Sequence, residues 1–511
     1  MKKLFFIVML IAVLVTNASC GPASTPAPTV ALSTETKLPF EGITIRVMSQ
    51  TGPTIVGPVY THGEEFTALT GAKIEVVEVP GGDLFTKIVQ TASAGGSDID
   101  LLLAPNTWMG DFASLGIIAP LESYVDKDKN DPDFDWSDVP QGIVSKNTWG
   151  GHIYGLMPDN NNHILFYRKD ILNDPKWQAA YKQETGIDMP VPPQTIEELI
   201  SVAKFFMGKD WAGDGQPDKH YSFVTSVTRG SQAFWYSYSW FSAYGVTPTD
   251  ADHPQSVFLF KPDMTSLLNS PGYVKGLEQY IDMVNCCTKP GLDTTRGDVI
   301  NQMVNGTVLL AIDWKDIGPN AVGEDSVVKG KIGFAMAPGS KQYYDWLTDE
   351  WVTTDTVKFS PTHAFNGWCW FMLESTKNKD AAWAFIKFMV GKNNSSLDVT
   401  DPQGYTPWRT SHITSAVPNL EKVGWAQDDA QAYIKAIIDT TNNPNAVVDL
   451  RIPGAARIQD TVELYVTQAL SGEVSAQESM DQAAQEVQKV IDDIGKDKMI
   501  SAYRSHLGLP K

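Results

Sequence analysis

Trp108 follows the apolar run Ile99 to Leu103, Trp314 follows Val308 to Ile312, and Trp408 lies in a turn between Pro407 and Arg409. An indole just past a strand end offers a flat apolar face to the C–H patches of a hydroxylated carbon skeleton, and the hydroxyls then need planar polar partners. Asn106 supplies one such group, and the run Asp159, Asn160, Asn161, Asn162 and His163 supplies a carboxylate and amides that pair with hydroxyls two at a time. Each residue also has a plainer reading, since tryptophans pack cores and asparagine runs make turns. The cluster Trp235, Tyr236, Tyr238, Trp240 and Phe241 either lines a wall, with Trp240 foremost, or builds an aromatic core. Asp313 beside Trp314 either meets a ligand or caps the following helix. Trp383 sits on a helical apolar stripe and reads as core.

Other chemistry is thinner. Asp210, Asp214 and Asp218 occupy the first, fifth and ninth places of a stretch like a calcium loop, with Gly215 sixth. Ala212 stands third and Tyr221 twelfth, where a bidentate Glu belongs, so a plain Asp/Gly turn is the expectation and no metal or cofactor is assigned. The chain has no H-E-x-x-H, G-x-S-x-G, Walker A or G-x-G-x-x-G motif, and its 8 histidines are scattered singly. With 40 Lys+Arg against 60 Asp+Glu, a net charge of −20, a nucleic-acid backbone would be repelled. A secreted polysaccharide-active enzyme is the alternative from another class, because it needs only two carboxylates about 5 to 9.5 Å apart.

The first residues have the form of a secretory signal, with Lys2 and Lys3, an apolar stretch Leu4 to Val15, and the small pair Ala18-Ser19. Cys20 comes next, and this placement resembles a bacterial lipoprotein signal, which implies a lipid on its thiol and an anchor at the outer face of the cytoplasmic membrane. Residues 21–39 are rich in Pro, Ser, Thr and Ala and read as a flexible tether. No stretch after residue 20 approaches the roughly 20 apolar positions of a membrane span. Cys286, Cys287 and Cys369 remain. Adjacent cysteines bridge each other only with strain, so buried thiols are expected, a bridge from Cys369 to one of the pair being the alternative.

The elements that must position these residues alternate between two periods. Ile43, Ile45 and Val47 repeat every second residue, a helix through Phe66 and Leu69 closes at Gly71, and Ile74, Val76 and Val79 give the next strand. Leu84, Ile88 and Ala92 follow at helical spacing, and Ile99 to Leu103 is a short continuous run typical of a strand covered on both faces. Such spacing implies an α/β fold with doubly wound parallel sheet, whose ligands bind at the carboxyl ends of strands. That marks the loops Ser49 to Gly57, with Gln50 among the candidates, and Ala104 to Trp108. Thr195 with Glu198 forms a capping box, and Ser475 with Glu478 caps a later helix.

Several segments, in this order, resemble the extracellular solute-binding proteins of ABC importers that take sugars and oligosaccharides. They are Asp98 to Val125, YGLMPDNNNHILFYRKDIL (Tyr154 to Leu172), TIEELISVAKFF (Thr195 to Phe206), VNGTVLLAIDW (Val304 to Trp314), KIGFAMAPG (Lys331 to Gly339), Asn366 to Met389 and GYTPWRTS (Gly404 to Ser411). The resemblance implies a two-lobed periplasmic-binding-protein type II fold with a ligand cleft between lobes, carbohydrate ligand, membrane permease subunits as partners and no catalysis. By that pattern residues 40–158 plus 338–395 form one lobe, residues 159–337 plus 396–511 the other, and hinges lie near Met157 to Ile164 and Ala335 to Gly339. Arg409 matches a basic position in the family's late loop and would fork onto two hydroxyls or a carboxylate. Trp368 stands where the family usually has a small or aliphatic residue and joins the candidates. A lipid-tethered saccharide-capture protein without a transporter keeps the same fold.

Overall fold

The computed structural model describes residues 38–510 apart from 96–97, 254–255, 324 and 402–403; Cys20 and the signal and tether expectations lie outside the described residues. Residues from Pro39 onward form one compact unit, which is described below. Among its described residues nine strands form two sheets. In chain order they are β1 (Thr44–Gln50), β2 (Lys73–Val79), β3 (Leu101–Pro105), β4 (Gly155–Leu156), β5 (Ile164–Arg168), β6 (Tyr221–Val224), β7 (Val308–Asp313), β8 (Ile332–Met336) and β9 (Trp368–Met372).

The first sheet has the order β2-β1-β3-β9-β4. Strands β1, β2 and β3 run parallel, as helical crossovers between consecutive strands require, and Thr44 to Gln50 pair with Lys73 to Val79. Strand β9 runs antiparallel to both its neighbours, β3 and β4, because it is delivered by a segment returning from the second sheet rather than by a local crossover. Leu101, Leu102 and Leu103 are fully enclosed, so β3 is covered on both faces, and the local signals hold: Gly71 closes the helix Pro53–Thr70 with φ 79°, a left-handed turn that suits glycine. The second sheet, β8-β5-β7-β6, is mixed, with β7 antiparallel to β5 and parallel to β6. The Thr195–Glu198 capping box starts the helix Ile196–Phe206, and the Ser475 hydroxyl accepts the Glu478 amide at 3.2 Å.

The chain passes from the first sheet to the second between Leu156 and Ile164 and returns between Met336 and Trp368. The returning segment carries a hairpin, Ser340–Asp345 with Glu350–Lys358, that packs on the helices Ala233–Gly245 and Pro271–Cys287 beside the second sheet. Lys358 anchors it, its buried ammonium donating to the carbonyls of Val246 at 2.6 Å and Ser242 at 3.3 Å. A further strap, Val447 to Arg451, pairs with Thr362–His363 and joins both sides. One expectation is corrected: Cys286 and Cys287 are bonded to each other across a Cα–Cα distance of 3.8 Å, in the last turn of a helix whose next residue is already extended, and Cys369 is the buried free thiol.

Candidate functional site

The strand ends of both sheets meet at a cavity of about 410 Å³, within the usual range for small-molecule sites. The first sheet contributes Gln50 and Pro105, the last residues of β1 and β3, Trp108 from the short turn after β3, and Trp368 at the start of β9. Beside the second sheet stand Trp314, Lys315 and Asp316, directly after β7, with Arg296 opening the helix Arg296–Val304 and Gln232 preceding the helix Ala233–Gly245. The connecting segments add Asp159, Asn161, Phe365, Gly404 and Tyr405. A depression of about 490 Å³ lies elsewhere, around Glu184, Glu197 and Lys204, without a tryptophan in its lining.

Each indole is held by its own neighbours. Trp108 meets Phe85 at 5.2 Å and Phe112 at 6.1 Å edge to face, leaving the rest of the ring toward the cavity. Trp314 donates from Nε1 to the Ala364 carbonyl at 3.1 Å, and the Arg296 guanidinium lies 5.1 Å from its ring centre. Arg296 also pairs with Asp316. Burial alone would raise the Asp316 carboxyl, but the Arg296 and Lys315 cations hold it below its ordinary value. Lys315 donates to the Gly404 carbonyl. Burial pushes Asp159 up, against the Thr406 amide at 2.7 Å and the Lys315 charge, and Asp159 in turn accepts from the Asn161 amide at 3.0 Å. Two carboxylates thus face two cations, and the lining is close to neutral. The Arg296 Nε atom is buried with no protein partner among the described residues, a donor left for whatever enters.

Of the residues expected from sequence, Gln50, Trp108, Asp159, Asn161, Trp314 and Trp368 line the cavity. The others are displaced from it for physical reasons. Trp240 stacks on Tyr280 at 5.2 Å inside the second-sheet core. Trp408 is buried against His412, and Arg409 spends its guanidinium on the carbonyls of Val390 and Phe134 at 2.6 and 2.8 Å, so neither forks onto a ligand. Asn106, Asn160 and Asn162 tie the junction of the sheets together. Asn106 donates to the Lys146 carbonyl at 2.9 Å, Asn160 accepts from the Lys146 ammonium at 2.7 Å, and Asn162 donates to the Ile437 carbonyl at 3.1 Å.

His163, Asp313 and Trp235 stand behind the wall rather than in it. His163 lies edge-on to Trp314 at 4.3 Å, and burial, with the Arg296 charge, lowers it to about 3, so the ring is neutral. Asp313 accepts from the Tyr236 hydroxyl at 2.9 Å and the Trp314 amide at 2.7 Å, and burial pushes it up to about 7. The Trp235 ring contacts Trp314 at 6.2 Å and Phe365 at 5.6 Å. In the Asp210 loop, the carboxylates of Asp210 and Asp214 accept from the amides of Gly213, Gly215 and Gln216, and Asp214 also meets His220 at 2.9 Å. Among the described residues no group of three His, Cys, Asp or Glu is arranged to hold a metal.

Sequence reasoning missed Gln232, Arg296, Lys315, Asp316, Phe365 and Tyr405. The strand-end rule that found Trp314 reaches Lys315 and Asp316 as well, whereas nothing local distinguishes Arg296 or Phe365.

A family model for bacterial extracellular solute-binding proteins matches residues 62–423. A putative binding protein of Brucella abortus (strain 2308) is 25% identical over 373 residues, covering 69% of this chain and 76% of its own. An erythritol/L-threitol-binding protein of Mycolicibacterium smegmatis is 20% identical over 348 residues, covering 66% of this chain and 64% of its own. Among solved structures, an ABC transporter solute-binding protein from Agrobacterium radiobacter K84 in complex with ribitol is 24% identical with a TM-score of 0.65, covering 88% of this chain and 100% of that one. Another, from Thermotoga lettingae TMO with α-D-tagatose, is 20% identical with a TM-score of 0.62 over the same shares. These likenesses give the two-lobed binding-protein fold. The family match covers well over half of the sequence, and this chain belongs to the bacterial extracellular solute-binding proteins.

Proposed function

We propose that the protein captures a neutral polyol or sugar in the cleft, closes on it, and delivers it to the permease of an ABC importer while anchored to the membrane through a lipid on Cys20. One observation carries the reading: indoles on the first-sheet side oppose a fork of paired charges on the second, with overall neutral lining. Aromatic faces suit C–H patches, and Asp159, Asn161, Arg296 and Asp316 suit hydroxyl pairs. The polyols and sugars named for the relatives support the same class. The lobes are residues 40–158 plus 338–395 and residues 159–337 plus 396–511, except that the hairpin Ser340–Lys358 rides on the second. The segments 157–164 and 335–339 act as hinges.

In a thermal-shift screen, ribitol, D-mannitol, tagatose or maltose should raise the melting temperature, since a ligand of the folded state stabilises it, and the best of them should bind at about −8 kcal/mol or tighter. The same ligand should compact the protein in small-angle scattering, because only a solute touching both sides shifts an open state to a closed one. If only amino acids, peptides or metals shift the melting temperature, the reading is wrong.

A further inference from the structure

Asp449 does not reach the cavity, yet five donors from separate parts of the chain converge on its fully buried carboxylate. Trp235 Nε1 donates at 2.5 Å and the Phe365 amide at 3.1 Å to one oxygen; the Tyr238 hydroxyl at 2.6 Å and the Leu450 amide at 2.8 Å donate to the other, with the Gln459 amide between them. The backbone of Asp449 is fixed as well, its N–H donating to Asn366 Oδ1 at 2.8 Å and its carbonyl accepting from Asn366 Nδ2 at 3.0 Å.

These bonds meet a strained turn. Phe365 and Asn366 hold φ of 69° and 56°, a conformation that asparagine tolerates but that a phenylalanine adopts only where its surroundings impose it. Gly367 completes the turn at φ 119°, where a Cβ would come within 2.5 Å of the Asp159 carbonyl, so the turn packs closely on the crossing segment and only glycine fits there. The Phe365 ring lines the cavity, and the Trp235 ring that backs it also touches Trp314.

We infer that Asp449 is a positioning residue for the solute site: its carboxylate fixes the Phe365 turn and the Trp235 indole, and through them the aromatic wall that carries Trp314. The inference rests on the cleft being the solute site. A buried carboxylate with charge-assisted bonds to two wall segments is a stiff support, and an apolar residue there leaves both donors unpaired.

The test uses the whole protein labelled with 5-fluorotryptophan, the fluorine resonances of Trp235, Trp314 and Trp240 being assigned with their Phe variants. In ligand-free Asp449→Ala the Trp235 and Trp314 resonances should shift or broaden while that of Trp240, in the core, holds. With ribitol as probe, the dissociation constant of Asp449→Ala should rise about tenfold or more, whereas Tyr503→Phe, which loses buried hydroxyl bonds to the carbonyls of Phe258 and Phe260, residues outside the cavity lining, should melt lower yet stay within about twofold. Should Asp449→Ala fail to fold, Asp449→Asn keeps the volume and is read the same way, because its amide nitrogen must face donors on one side. Unchanged Trp235 and Trp314 resonances in the folded variant would overturn the inference. If wild type ignores ribitol and also D-mannitol, tagatose and maltose, the ligand reading fails, and the fluorine arm still decides the positioning role.

Discussion

Replacing Trp108 by alanine probes the first-sheet wall with little damage to the fold. The indole is only half-buried, packed edge to face on Phe85 and Phe112 and otherwise turned to the cavity. A fully buried tryptophan costs about 3 to 5 kcal/mol on truncation, so a ring packed on one side should cost about 1 to 2 kcal/mol of stability. The loss in the complex is separate: removing the platform beneath a bound polyol forfeits about 1 to 3 kcal/mol, or roughly 5- to 140-fold in Kd. Titration calorimetry, at a temperature where both proteins are folded and with the ligand that most raises the wild-type melting temperature, measures that loss directly. Trp108→Phe should recover part of it, since a smaller ring still covers C–H groups. A Kd for Trp108→Ala within about twofold of wild type would remove Trp108 from the site and with it the argument that the first sheet contributes an apolar platform.

Burial lowers Lys358 to about 7 in the folded protein, far below an unfolded lysine. Between that value and about 10.4 the unfolded chain holds the extra proton, so stability should rise with pH at up to about 1.4 kcal/mol per unit; melting curves across this window should lose that slope in Lys358→Met, and parallel profiles for the two proteins would sink the assignment. Cys20→Ser should move the protein from the membrane fraction to the soluble fraction of growing cells, because the acyl chains supply the anchoring. Wild-type protein already found soluble would defeat the lipid anchor.

What could be read from sequence was local or repetitive. Gly71 and the Thr195–Glu198 pair end and begin helices through contacts within a few residues, and Trp108 and Trp314 were found because a β-strand end projects the next residues into a cleft. Asn160 and Asn162 looked like ligand groups because nothing near them in sequence consumes their amides; their partners Thr441 and Ile437 come from a helix more than 270 positions away. Arg409 failed for a like reason, since the carbonyls that surround it come from Phe134, 275 positions away, and from Val390 at the end of the preceding long helix. Arg296 was invisible because a basic residue at a helix start is ordinary until Asp316 and the Trp314 ring are seen around it. The Cys286–Cys287 bond runs against the expectation that neighbours avoid each other, and it sits in the last turn of its helix.

The cleft's two walls are made of different materials, and under the proposed reading this separates two properties that selection can act on independently. An indole stacked on C–H groups is nearly indifferent to which way each hydroxyl points, so Trp108 and Trp368 set how tightly a ligand is held. A guanidinium locked to a carboxylate accepts only certain hydroxyl pairs, so Arg296, Lys315 and Asp316 set which ligand it is. These three stand on the loop after β7 and the helix before it, away from the enclosed strands of the first sheet. Descendants of this protein could therefore change their diet by substitutions on one wall while inheriting their grip from the other.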